Sequence, residues 1–286
     1  MSQRAEPATS PRQEAIITER SKAMPHFLRA ALAAFSFALA AHAATAALIQ
    51  KVAEVPFAGG SQTVLYLGPA QPRAIVINFP GGDGVVKIGS GGTVGQGGNF
   101  LVRTREHWVE RGLGVVIPDV PQGYGSLFGR RNTAAYGAAI AALVAFAKSQ
   151  ANVPVWLVGT SQGTNAAANG GSRLTHGEIA GVVLTSSITQ AGNRPDLLET
   201  VFDDNLAAID VPVLIVSHKD DACAMTPASD GVRIKSALGH SPRSEVIVMT
   251  GGLPPKSDAC EARSAHGFFG VEDQTVQRIV DWMDGR

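Results

Sequence analysis

The sequence is short of charge, of aromatic side chains and of cysteine, and it has no charge bias. Lys plus Arg number 24 and Asp plus Glu number 24, so the formal net charge is zero. A nucleic-acid partner calls for a basic face that neutralises phosphates, and none is expected here. There is no block of like charges and so no charged tail. No apolar run approaches the roughly 20 residues of a membrane span, so no stable span is expected once a signal is removed. Residues 81–98 are glycine-rich but contain no G-x-G-x-x-G, and no G-x-x-x-x-G-K-[ST] occurs, so a nucleotide site is not expected. His218, Asp220, Asp221, Cys223 and His266 could each ligate a metal, yet no Cys or His pair has a zinc-type two-residue spacing. No metal and no cofactor is expected. Low charge does not mean disorder: hydrophobic residues make up 45% and charged residues 17%, a globular composition.

The N-terminus reads as a targeting segment. Met24-Pro-His-Phe-Leu-Arg29 precedes an Ala/Phe/Leu stretch from Ala30 to Ala41, and both Ala41-His42-Ala43 and Ala44-Thr45-Ala46 fit small-residue cleavage sites. Residues 1–23 are polar and patternless, with Met24 an alternative start. Residues 1–43 are therefore read as an extension and signal peptide, and 44–286 as a single domain, periplasmic or secreted. Export also decides how the two cysteines, Cys223 and Cys260, are read. In an oxidising compartment an even pair is a candidate disulfide.

Short apolar, β-branched runs alternate with longer amphipathic segments. The runs are Thr63–Leu67, Ala74–Phe79, Gly114–Ile117, Val155–Val158, Gly181–Thr185, Val213–Ser217 and Glu245–Met249. Most are continuously apolar, as in strands buried on both faces of a parallel sheet. Helices are predicted near Phe100–Arg111, Ala134–Ser149, Thr164–Arg173, Gly231–Leu238 and Glu272–Met283. In the last, Val276, Ile279, Val280 and Met283 make one apolar face. This alternation predicts an α/β fold: a doubly wound, mostly parallel sheet with helices on both faces. Ser186 to Asp210 is the longest late insertion, too short for a lid domain but long enough for a small cap.

The segment Val155-Trp-Leu-Val-Gly159-Thr-Ser161-Gln-Gly163 is the most informative. It is a buried strand, then G-x-S-x-G, then a helix of small residues, which is the context of a nucleophile elbow. The turn holds the serine in a strained conformation, so its neighbours must be small. Here the sequence resembles the α/β-hydrolase superfamily, over residues 60–286, by motif and by order of elements.

That resemblance implies a serine nucleophile followed in chain order by an acid and then a histidine. Ser161 is the implied nucleophile. His266, in Ser264-Ala-His-Gly-Phe268 between the last strand and the last helix, matches the base, whereas His240 reads as surface. The acid belongs in the turn after Val213–Ser217, at Asp221, with Asp220 the near alternative. The turn Phe79-Pro80-Gly81-Gly82-Asp83 matches the oxyanion turn, with Pro80 where histidine is usual. Its donor is Gly82, with Asp83 left open, and the second donor is the N–H of Gln162. His218, Asp221, Cys223 and the later Cys260 ahead of the S-x-H-G-F loop are similar to motifs of exported bacterial members. In that topology the acid and base loops converge, so a Cys223–Cys260 disulfide is implied. The implied function is a serine hydrolase that cleaves a carboxylic ester or related acyl bond of a small-molecule substrate, through an acyl-enzyme. An exported peptidase or amidase, or a non-catalytic binding protein on the same fold, are the alternatives.

Overall fold

The computed structural model describes residues 47–286, so the expected signal peptide lies outside the described residues. The eight strands are β1 (Leu48–Phe57), β2 (Gly60–Pro69), β3 (Ala74–Phe79), β4 (Leu113–Pro121), β5 (Val155–Thr160), β6 (Gly181–Thr185), β7 (Val213–His218) and β8 (Ser244–Met249). They form one sheet in the order β1-β2-β4-β3-β5-β6-β7-β8. Strands β3 to β8 run parallel, while β1 pairs with β2 and β2 with β4 antiparallel.

Alternation along the central strands sorts their side chains onto two faces. Ile75, Ile77, Val155, Leu157, Val213 and Ile215 pack with α3 (Ala134–Gln150), α4 (Gly163–Arg173) and α5 (Gly231–Ala237). Val76, Trp156, Val158, Leu214 and Val216 pack with α1 (Phe100–Arg103), α2 (Arg105–Glu110) and α6 (Glu272–Met283). Both faces are covered, which is why these strands read as continuous apolar runs.

Two expectations need correction. Strand β1 was not anticipated: its ten residues include Lys51, Glu54 and Pro56 and are mostly exposed, because it is an edge strand held by its pairing with β2. The helix expected over Phe100–Arg111 is two short helices that meet at Thr104, whose hydroxyl donates to Phe100 O (2.7 Å) and caps the first. Among the described residues no helix is long and apolar enough to cross a membrane.

The strand order reverses direction between β3 and β5. In open α/β sheets the crevice at the carboxyl ends beside such a switch is where ligands bind.

Candidate active site

Ser161 sits where β5 hands over to α4, with φ +53°, a left-handed conformation strained for serine. The turn is possible because its flanking residues have no side chains. A Cβ on Gly159 would lie 2.3 Å from Gly163 O, and one on Gly163 would lie 2.1 Å from Phe79 O. Ala166, Ala167 and Ala168 are fully buried, which seats α4 close against the sheet.

His266 lies in a single helical turn, Ala265–Gly267, after β8. Ser264 caps that turn by accepting from His266 N (3.2 Å). Ser186 Oγ donates to His266 O (2.7 Å), and a Cβ on Gly267 would collide with Ala262 O. The backbone that carries the ring is therefore held in place. The ring Nδ1 lies 3.0 Å from Asp221 Oδ2, and the two side chains are 5% and 1% exposed. A carboxylate only accepts, so Nδ1 carries a proton, and in the neutral ring the lone pair is left on Nε2. Asp221 also accepts from Cys223 N (2.9 Å) and from the buried hydroxyl of Thr226 (2.9 Å), which lies 3.1 Å from the same Nδ1. Thr226 carried no sequence signal: only folding brings it to this contact. The neighbouring Asp220 is exposed, and its N–H donates to His218 Nδ1 (3.1 Å). His218, buried, donates through Nε2 to Gly251 O (3.0 Å) and so is fully engaged as a core histidine.

Ser161, His266, Gly82, Asp83 and Gln162 line one cleft of about 560 Å³. Gly81 backs directly onto the serine: an added Cβ would sit 2.9 Å from Ser161 Cβ. The N–H groups of Gly82 and Gln162 make no hydrogen bond among the described residues. Phe100, Phe128, Leu197 and Met225 give the cleft an apolar side. Leu197 and Arg194 come from the Ser186–Asp210 insertion, which forms part of the wall.

Cys223 and Cys260 form a disulfide that joins the Asp221 turn to the loop before His266. They stand 37 positions apart in the chain, for which chain entropy assigns the bond about 4 kcal/mol. Replacing both by alanine is expected to lower the urea-unfolding free energy by up to about 4 kcal/mol. An unchanged unfolding midpoint would show that other contacts already hold the two loops together.

Two carboxyl groups, Glu199 and Asp204, are buried outside the cleft lining. Glu199 Oε2 accepts from Gly129 N (3.1 Å), and burial pushes its carboxyl up. Burial, reinforced by the nearby Glu199 carboxylate, pushes Asp204 up to about 8, and its Oδ2 has no hydrogen-bond partner. Between pH 4 and pH 8 the folded chain thus holds a proton that the unfolded chain has released. Stability from this group is full below the ordinary aspartate value and is lost as pH rises through about 8. Asp204→Asn is expected to flatten that decline and raise the melting temperature at pH 9, by about 2–4 °C per kcal/mol recovered. Melting curves of the two proteins that stay parallel from pH 5 to 9 would contradict this.

No protein-family model matches the sequence, and no curated protein matches it. Solved structures do. An esterase of Pyrococcus furiosus superimposes with a TM-score of 0.60 at 12% identity, covering 83% of this chain and 91% of that one. A cold-adapted esterase from an Arctic intertidal metagenomic library gives 0.54 at 17% identity, over 81% and 94%. A dienelactone hydrolase of Anabaena variabilis gives 0.55 at 12% identity, over 82% and 96%. At such identities the likeness is one of fold, and this chain has the α/β-hydrolase fold.

Proposed function

We propose that the protein is an exported serine hydrolase that cleaves a carboxylic ester or related acyl bond of a small molecule. The observation that carries this reading is the convergence in one cleft of a serine on a strained elbow and a histidine bonded to a buried aspartate. Ser161 Oγ attacks the acyl carbonyl while His266 Nε2 takes its proton. Asp221 holds the ring in the required tautomer and stabilises the imidazolium that forms. The negative oxygen of the tetrahedral intermediate accepts from the N–H groups of Gly82 and Gln162. Collapse releases the alcohol, protonated by His266, and leaves an acyl-serine that water hydrolyses by the same steps in reverse.

An ester is favoured because two of the similar structures described above are esterases, an argument by analogy of fold. Export is part of the same reading, supported by the apolar stretch Ala30–Ala41 and by the disulfide. The test is a fluorophosphonate probe, followed by panels of p-nitrophenyl esters and of peptides. Labelling at Ser161 with ester turnover is expected. Absence of labelling would favour a non-catalytic binding protein, and cleavage of peptides alone would favour a peptidase.

A further inference from the structure

We propose that Arg131 is a positioning residue for the acyl-transfer step, acting on the turn that presents the Gly82 N–H. The inference rests on the hydrolase reading of Ser161, Asp221 and His266.

Arg131 is 1% exposed, among the most deeply buried large side chains of the fold. Taking a guanidinium out of water costs several kcal/mol, and Arg131 Nη1 finds no hydrogen-bond partner among the described residues. Its Nη2 donates to Gly82 O (2.9 Å) and reaches Pro80 O (3.4 Å). These two carbonyls belong to the peptide units on either side of the Gly81–Gly82 peptide. The carbonyl of that central unit accepts from Gly84 N (3.3 Å). Peptide units are planar, so fixing three successive carbonyls fixes the direction of the N–H groups between them.

Other bonds to the turn fall at its far end, where Leu127 N donates to Asp83 O (2.8 Å) and Val85 N to Asp83 Oδ1 (3.0 Å). Pro80 has no N–H, Gly81 and Gly82 have no side chains, and Gly82 takes φ +60°. A free diglycine turn samples many conformations, and a donor that must be oriented during reaction stabilises the oxyanion less than one already in place. Arg131 also links this turn to the nucleophile. Asn169 on α4, the helix that begins beside Ser161, donates to Arg131 O (2.7 Å) and Thr133 O (2.9 Å). Burial pushes the Arg131 guanidinium below its ordinary value, and nearby Tyr136, Glu199 and Asp83 act the other way. Gly84 leaves room for it, since a Cβ there would sit 2.9 Å from Arg131 Nη2.

The experiment compares wild type, Arg131→Lys and Arg131→Gln in the full chain, with p-nitrophenyl acetate as substrate and active sites counted by fluorophosphonate. Per active site, Arg131→Gln is expected to lose about 10- to 100-fold in kcat with KM nearly unchanged, less than the loss of a whole oxyanion donor. Affinity for phenylboronic acid, whose tetrahedral adduct places an oxygen at the oxyanion position, should fall by the same factor. Arg131→Lys keeps the charge without the fork and should lie between the two. It is also the variant to read if Arg131→Gln does not fold. A purely structural role would reduce the number of competent sites and the melting temperature but leave boronate affinity per site intact, and that result overturns the proposal. So does a kcat within about two-fold of wild type in a folded variant. A wild-type protein that neither labels nor turns over ester instead removes the hydrolase reading, and this inference with it.

Discussion

Ser161→Ala should abolish turnover, by about four to six orders of magnitude, while the protein remains folded. The Oγ atom is the only part of the side chain the chemistry requires. The backbone bonds that shape the elbow do not depend on it: Ser161 N donates to Thr185 O (3.0 Å), and Ser161 O accepts from Thr164 N (2.9 Å) and Thr164 Oγ (2.6 Å). Alanine at φ +53° is as strained as serine, so the melting temperature should barely move. Ser161→Gly is informative beside it. Glycine relaxes at positive φ, so this variant should be equally inactive yet more stable, by about 1 kcal/mol. A stability gained on losing the nucleophile is what strain stored at a functional position predicts. The pair is read by ester assay and thermal melt, and an alanine variant with near-native kcat on any substrate would remove Ser161 from the mechanism.

Asp221→Asn should cost about 10⁴-fold in kcat, and Asp220→Asn only a few-fold at most. An amide at position 221 keeps the shape but places an NH₂ group opposite His266 Nδ1. The imidazole then does best with Nδ1 as acceptor and its proton on Nε2, where it cannot take the proton of Ser161. Cys223 N donates to Oδ1, which favours the amide oxygen there and puts the NH₂ group at the Oδ2 position facing His266; the Thr226 hydroxyl, which meets Oδ2, can turn to accept from it. Asp220 is exposed and contributes a main-chain N–H to His218, a bond that asparagine preserves. The two variants differ by one position in the chain, so a paired kinetic assay with the ranking reversed would transfer the role to Asp220.

Contiguity separates what was legible from what was not. Val155–Gly163 carries its requirement locally: a strand, a turn that tolerates no side chain at Gly159 or Gly163, and a helix of small residues. The backbone collisions at those two glycines are the physical form of the G-x-S-x-G pattern. The central strands were legible because burial on both faces leaves an unbroken apolar run. Strand β1 was not, since it is an edge strand paired with β2 and mostly exposed: Val55 alone in it is buried, and one apolar position makes no run.

The implied order of serine, acid and histidine narrowed the candidates, yet two adjacent aspartates remained that no local rule separates. The turn after β7 sets them apart: it buries the Asp221 side chain against His266 and leaves Asp220 in water. Thr226, Ser186 and Arg131 lie 40, 80 and 49 residues from the groups they hold. Their hydroxyls and guanidinium could have faced solvent without offending any periodicity. Seven of the eight strands, the elbow and a short list for the site were readable along the chain, because they follow from which residues are small or apolar at a few consecutive positions. The tertiary structure alone decided which polar groups converge, because a hydrogen bond between distant residues depends on the packing of every element between them.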